Sequence, residues 1–386
     1  MPEPRSAAET MPGLMPESPF GQERADTPTP LTWGLCIATL NRIDALESCI
    51  RHALVQTRPL AEIVVVDASE DWQHHHQRIA DLVGDRATLT YLPAPRRSLT
   101  AQRNAGIAAA KADICFLIDD DSFMHPDCAE EIMRVYEHPD AASVLSVTAS
   151  DGPAVSTEGL QSERKSGAIR DGTFSRYRQS RLFRWFWRNI ALMAAEKVFI
   201  PYDGPYQTAL PDRLAKTGLA IIPVSLSSGY KMTARRSAAL AHPFEDGFQS
   251  YCPAEDLDFL YRITRHGHLV RALDARIYHH EVAATRIKRQ TATLLSVTNV
   301  AYLVRKHSCH QTRHRFLFAV MLMRRFLAEI IKDLGSRRWG LEQARAILRA
   351  IPVSIAIFRS SRETLSDWYK SRQLEILHSD RSAKAR

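Results

Sequence analysis

Residues 114–122 read Ile-Cys-Phe-Leu-Ile-Asp-Asp-Asp-Ser, five apolar residues running straight into three carboxylates. A short apolar run bounded by polar residues fits a strand buried on both faces, the kind found inside a parallel sheet. Asp119, Asp120 and Asp121 then fall at the strand's carboxyl end, the edge at which open α/β sheets bind ligands. Three adjacent like charges repel, so the arrangement persists most easily if a divalent cation or several hydrogen-bond donors offset them. A hard ion such as magnesium or manganese, taking oxygen ligands and a substrate diphosphate, fits best. The competing reading is a solvated acidic turn ahead of a helix that carries Pro126 in its first turn.

Around this stretch the chain alternates strand and helix. Strands are expected over 31–38, 62–67, 88–92 and 113–119, with helices over 44–56, 72–83 and 99–111 between them. A further strand is a candidate over 142–147. Such alternation implies right-handed crossovers and a doubly wound sheet. Between about 150 and 223 the regularity is lost. An aromatic cluster at Phe183, Trp185, Phe186 and Trp187 there either shapes an acceptor pocket or packs on the core. Regularity returns at 228–233, followed by a helix over 253–266 and short strands over 269–272 and 276–279. After Arg286 the chain reads as helical to its end.

Composition adds bounds. A chain of 386 residues accommodates two domains, or one large domain with additions. The first thirty residues are rich in Pro, Ser, Thr and Glu and read as a disordered tail. They show no apolar core behind a basic start, so no signal peptide is expected. The six cysteines are scattered without a CxxC pair, which points to reduced, packed thiols and a cytosolic protein. The net charge of +8 is uneven: residues 286–386 hold 21 Lys and Arg against 7 Asp and Glu, a net of +14, leaving −6 for the rest. The basic character belongs to the C-terminal part, which makes nucleic-acid binding the weaker reading of the charge. Within that part, 316–323 is the longest apolar run, bounded by Arg313, Arg315, Arg324 and Arg325. Eight residues cannot span a bilayer but can lie on one.

Five separated pieces, in order, resemble the inverting family 2 glycosyltransferases of the GT-A fold. They are Ala38-Thr-Leu-Asn-Arg42, Val64-Val-Val-Asp67, Ala101-Gln-Arg-Asn-Ala-Gly106, Asp119-Asp-Asp121 and Ala254-Glu-Asp-Leu-Asp-Phe259; a sixth is the strand ending His279-His280. The resemblance covers roughly residues 31–285, and its order and spacing are more specific than any single motif. It implies a GT-A-like α/β fold, a doubly wound and mostly parallel sheet with a C-terminal helical extension. The implied domains are a tail over 1–30, a glycosyltransferase domain over 31–285 with a variable insertion at 150–225, and a basic helical region over 286–386.

Each piece also has a reading of its own. Asp67 ends a buried strand at the same sheet edge as the Asp cluster and either accepts hydrogen bonds from a base or ribose or caps the next helix. The resemblance implies a nucleotide base, usually uridine, with Thr39, Asn41 and Arg42 lining the same pocket. Arg103 offers a fork of donors suited to phosphate or carboxylate, and it either contacts the nucleotide alongside Asn104 or pairs structurally with Asp119 or Asp120. By resemblance Asp119 faces the ribose, with Asp120 also on the donor side. Asp121 ligates the metal, which Asp119 and His279 help to hold, with His280 an open alternative. Glu255 and Asp256 follow Pro253 in a helix's first turn, where the macrodipole favours ionised carboxylates. The resemblance makes Asp256 the general base and gives Glu255 an orienting part, whereas the plainer reading is acidic capping with Asp258 pairing to Arg262. Ser228-Gly-Tyr-Lys-Met-Thr only partly matches the donor-sugar segment of the family, because Tyr230 and Lys231 replace small and amide residues. The cluster His74 to His76 reads as solvated.

The resemblance thus implies an inverting, metal-dependent glycosyltransferase using manganese or magnesium and a nucleotide-diphosphate sugar, most often a UDP-sugar. It moves one sugar to a lipid-linked or saccharide acceptor in envelope, exopolysaccharide or glycolipid synthesis. Two rivals remain, a sugar-nucleotide pyrophosphorylase-like enzyme and an inactive nucleotide-sugar-binding regulator. The first expects a Gly-rich phosphate loop, which Leu35-Cys-Ile-Ala-Thr is not; the second is disfavoured because both acidic motifs are retained. Processive polysaccharide synthases carry a QxxRW segment, and Arg338-Trp339 lacks its Gln. The basic C-terminal part is expected either to rest on an anionic membrane surface at the inner face or to pack on the catalytic domain.

Overall fold

The apolar runs read from the sequence become, among the described residues, the strands of one nine-stranded sheet. The computed structural model describes residues 30–155, 185, 198–280, 287–335 and 340–382. The expected tail, most of the 150–225 insertion with Phe183, Phe186 and Trp187, and the Arg338-Trp339 pair lie outside the described residues. Trp185 is exposed.

In chain order the elements begin with β1 (Trp33–Thr39), α1 (Ile43–Leu54), β2 (Glu62–Asp67), α2 (Trp72–Val83), β3 (Thr88–Pro93), α3 (Leu99–Ala109) and β4 (Ile114–Phe116). Next come β5 (Ser122–Met124), α4 (Cys128–Glu137), β6 (Val144–Asp151), α5 (Asp212–Ala215), β7 (Ile221–Pro223), β8 (Met232–Arg235) and α6 (Arg236–Ala241). The remainder is α7 (Glu255–Thr264), β9 (His268–His279), α8 (Arg289–His307), α9 (Gln311–Gly335), α10 (Glu342–Arg359) and α11 (Leu365–Ser382).

The strands lie in the order β3-β2-β1-β4-β8-β6-β9-β5, with β7 paired to β9: β1 to β4 are mutually parallel, β8 runs against β4 and β6, and β6 and β9 are parallel to each other. The sheet is therefore mostly parallel, with β5, β7 and β8 reversed. Alternate residues of one strand feed opposite cores. Leu35 and Ile37 join Leu46 and Ile50 of α1 and Ile79 of α2 on one face. Cys36 joins Ile107 of α3, Phe259 of α7 and Tyr302 of α8 on the other. Helices thus cover both faces, as the doubly wound reading requires.

The expected strand over 113–119 is split. Pairing of β4 with β1 ends at Phe116, after which the Leu117 N–H donates to the Met232 carbonyl and the chain bends through the Asp cluster into β5. The two short strands expected at 269–272 and 276–279 are one strand, β9. Its register with β6 shifts twice, the irregularity that made its sequence look interrupted.

The C-terminal helices pack on the sheet rather than standing off it. Val297, Val300, Tyr302, Ile347, Val353 and Tyr369 share the core of β4 and β8. Residues Leu31–Arg386 form one compact unit. All six cysteines are free thiols, five of them buried. Among the described residues, no helix is long and apolar enough to cross a membrane.

Candidate active site

Because β1, β2, β4, β6 and β9 point the same way, Thr39, Asp67, the Asp cluster, Asp151 and His279 all arrive at one sheet edge. β8 runs in reverse, so Gly229, Tyr230 and Lys231, which precede it, arrive there too.

The three aspartates take different surroundings. Asp120 is buried, accepting from Thr39 Oγ1 at 2.7 Å and from Arg42 Nη1 at 2.6 Å. Burial outweighs the Arg42 charge there and pushes its carboxyl up to about 7. Asp121 lies 3.2 Å from Arg42 Nη2 and 3.2 Å from His279 Nε2. Asp119 is more open and meets Arg103 Nη2 at 2.8 Å. Asp119, Asp121 and His279 each offer a ligand atom, all within 4.8 Å of one another. Two carboxylates and an imidazole fit a hard or borderline divalent ion. His280 does not belong to that group; its ring stands 5.6 Å from that of Phe123.

Arg103 ties this cluster to a segment 152 residues further along the chain. Its Nη1 donates to Glu255 Oε1 at 2.6 Å, so one buried guanidinium spans the Asp cluster and the start of α7. The structural pairing read for Arg103 is present with Asp119, and Glu255 is a second partner that the sequence did not suggest. Burial, only partly opposed by Arg103, pushes Glu255 well above the usual carboxylate range. Glu255 Oε2 is buried with no hydrogen-bond partner among the described residues.

Asp256 follows immediately and is fixed by backbone: Gly229 N–H donates to Oδ2 at 2.9 Å and Leu257 N–H to Oδ1 at 2.8 Å. Burial raises its pKa above the ordinary 3.8, with Arg103 and the two amides pulling the other way. Pro253 stands outside the helix, because Ala254 adopts a left-handed conformation (φ 73°) and α7 starts at Glu255. A non-glycine residue in that region stores strain that the surroundings must offset, a pattern that clusters at functional sites. Gly229 is needed for space: a Cβ there would stand 3.0 Å from Arg103 Nη2. Asp258 behaves as the plain reading holds, buried and paired with Arg262 at 3.0 Å.

Asp67 has partners within the chain. Its Oδ1 accepts from the Ser69 N–H and hydroxyl, and its Oδ2 from His75 Nδ1 at 2.8 Å and the Tyr91 hydroxyl at 2.7 Å. Four donors fill the sites a carboxylate offers, so a base reaching Asp67 has to displace one of them. Of the histidine cluster read as solvated, His75 is buried against Asp67 and His76 stacks on Tyr91. A helical wheel over α2 carries that signal, since His75, Ile79 and Val83 share one face. Asn41 sits at φ 53°, its N–H donating to Ser69 Oγ. Asn104 gives its amide to the backbone of Phe244, donating at 2.9 Å and accepting at 2.8 Å, and so pins α3 to the loop ahead of α7.

Sequence reasoning missed a second layer. Tyr230 stacks on His279, and its hydroxyl donates to Asp151 at 2.5 Å. The buried Lys231 ammonium meets the same carboxylate at 2.6 Å. On α3, Gln102 donates to the Thr39 and Val66 carbonyls at the ends of β1 and β2.

Residues 35–197 match the sequence family described as Glycosyl transferase family 2. The matched region holds Thr39, Asn41, Arg42, Asp67, Arg103, Asn104 and the Asp cluster, and stops before Asp256 and His279. A glucosyl-dolichyl phosphate glucuronosyltransferase of Haloferax volcanii is 28% identical over 113 residues, covering 28% of this chain and 35% of that protein. The chain thus spans about a third of the length of the curated relative it matches. Among solved structures, the mannosyltransferase PcManGT of Pyrobaculum calidifontis, in complex with GDP-Man and Mn2+, aligns with TM-score 0.49 at 13% identity, over 85% of this chain and 88% of that one. TarS 1–349 of S. aureus, in complex with UDP-GlcNAc, aligns with TM-score 0.46 at 13% identity, over 92% of each chain. By its matched region and its sheet, the chain resembles the family 2 glycosyltransferases of the GT-A fold.

Proposed function

We propose that this protein is an inverting, metal-dependent glycosyltransferase that moves one sugar from a nucleotide-diphosphate sugar, a UDP-sugar first, to an acceptor hydroxyl. The observation that carries the reading is the Arg103 bridge, which draws the Asp cluster and the acidic start of α7 to one sheet edge. Asp119, Asp121 and His279 would hold manganese or magnesium, their ligand atoms lying within 4.8 Å of one another. When bound, the ion neutralises charge on the departing diphosphate. Thr39, Asn41, Arg42 and Asp67 form the nucleoside side, Asp119 faces the ribose, and Arg103, Asn104 and Asp120 complete the donor site.

Asp256 takes the proton of the acceptor hydroxyl, and its two amide donors hold the carboxylate in one orientation. The acceptor oxygen bonds the anomeric carbon on the face opposite the diphosphate as the sugar–phosphate bond breaks, which inverts that carbon. Glu255 orients acceptor and loop. Holding both reactants in line supplies much of the acceleration. The reading extends to a lipid-linked or saccharide acceptor in envelope, exopolysaccharide or glycolipid synthesis at the inner membrane face. The Haloferax relative, whose name places a lipid-linked sugar among its substrates, favours the lipid-linked choice. A region over 31–285 carries the chemistry, 150–225 shapes the acceptor side, and 286–386 forms the helical layer.

The test offers a panel of nucleotide sugars with Mn2+ and candidate lipid and saccharide acceptors. Product mass is read by mass spectrometry and anomeric configuration by NMR. A single-sugar product of inverted configuration is expected; retained configuration, or no transfer from any donor, overturns the reading.

A further inference from the structure

α9 leaves one apolar face uncovered. Phe318 and Met321 turn into the core, but Phe316, Met323, Leu327, Ile331 and Leu334 are each 45–68% exposed. Their spacing of seven, four, four and three residues puts them on one side of the helix. The stripe runs about 27 Å along the axis, from a rise of roughly 1.5 Å per residue. Arg313 and Arg324 are the exposed charges of α9 beside the stripe, whereas the exposed Arg315 donates to the Phe358 carbonyl; the two carboxylates of α9, Glu329 and Asp333, are buried. α10, which packs against α9, exposes Leu348 and Ile355 among Arg345, Arg349 and Arg359, with one exposed carboxylate, Glu342, at its start.

We infer that this face of α9 docks flat on an anionic lipid bilayer, with the stripe entering the interface and the arginines meeting lipid phosphates. An interfacial helix needs an apolar stripe, basic flanks and no charge within the stripe, and α9 presents all three. A second copy of the chain fits less well, because its α9 brings the same arginines and no exposed carboxylate to meet them. Nucleic acid would satisfy the arginines but not the stripe. The inference deepens the membrane-side reading of the proposed function and depends on it only for location; docking itself needs no glycosyl transfer.

The experiment is co-flotation of the full chain with phosphatidylglycerol/phosphatidylcholine vesicles and with pure phosphatidylcholine vesicles, at low and high salt. Binding to the anionic vesicles, lost on pure phosphatidylcholine and weakened by salt, is expected. The double variant Leu327→Glu with Ile331→Glu should lower the bound fraction at least tenfold while keeping the wild-type melting temperature. Val55→Glu, an equally exposed apolar site distant in sequence, should bind as wild type. Wild-type failure to float, or equal binding by the double variant, overturns the inference. So does a concentration-dependent dimer, lost in the double variant, without vesicle binding. Transfer to a soluble acceptor is measured in parallel. Its absence with intact flotation sinks the glycosyltransferase reading and leaves the docking surface standing.

Discussion

The Tyr230 ring lies flat on the His279 imidazole, with centroids 4.3 Å apart and planes 8° from parallel. Asp151 and Lys231 hold Tyr230 from behind, so the stack fixes the direction of His279 Nε2 toward Asp121. Outer partners that orient a ligating histidine change metal affinity by roughly 10–100-fold.

Tyr230→Ala is therefore expected to weaken Mn2+ binding about tenfold, measured by titration calorimetry without any sugar donor. Tyr230→Phe keeps the stack and should lose less. Equal affinity in both variants and wild type would show that the stack does not position His279.

Asp256→Asn should reduce transfer by about a hundred- to ten-thousand-fold while donor affinity stays near wild type, the usual span for a lost general base. A general base works ionised, so in the proposed role of Asp256 the rate falls as pH drops through its pKa. Burial raises that pKa above 3.8, so the acid limb lies above the position an exposed aspartate would give. A pH–rate profile checks the direction.

Arg103→Ala takes the cation from Glu255 and should lower stability in urea denaturation, by less than the about 3–5 kcal/mol of a fully charged buried pair, because Glu255, already pushed well above the usual carboxylate range, can take up a proton. Arg103→Lys should recover only part of this, because an ammonium cannot reproduce the two-pronged bridge to Asp119 and Glu255. Full recovery by Lys would refute the importance of the fork.

Glu245 offers a stability test away from the chemistry. It accepts from Lys306 at 2.7 Å, His307 at 3.0 Å and Tyr302 at 3.1 Å, fastening the loop after α6 to α8. Burial pushes its carboxyl up, but His307 and Lys306 outweigh that and hold it well below its ordinary 4.5. A depressed folded pKa means the stabilisation is fully present above the unfolded value and is lost as pH falls through the folded one. The melting-temperature gap between wild type and Glu245→Gln should be widest near neutral pH and shrink in acid. A gap independent of pH would mean the ion pairs contribute nothing.

Much of the sheet was legible because burial on both faces leaves a plain record. The bounds of β2 and α2 follow from the Glu62–Asp67 run and the Trp72–Val83 periodicity without adjustment. What was not legible depends on partners distant in sequence. The apolar run through Ile118 cannot show that pairing stops at Phe116, since Met232 sets that end. Asp67 reads as a ligand-facing strand end until His75 and Tyr91 are seen beneath it. The Asp cluster and the Glu255-Asp256 pair were visible as motifs, but of the Arg103 bridge only the Asp119 arm was foreseen, because the Glu255 arm joins residues 152 positions apart. The Tyr230 layer was hidden because its meaning depends on a ring 49 positions later.

β9 is one strand, and it delivers His279 as its final residue. A chain still emerging from the ribosome can already pair β1 through β4, yet the three-residue cluster stays incomplete until position 279 is free to join. Prematurely terminated products that end within β9 are accordingly unable to assemble the cluster, however well their N-terminal strands have formed.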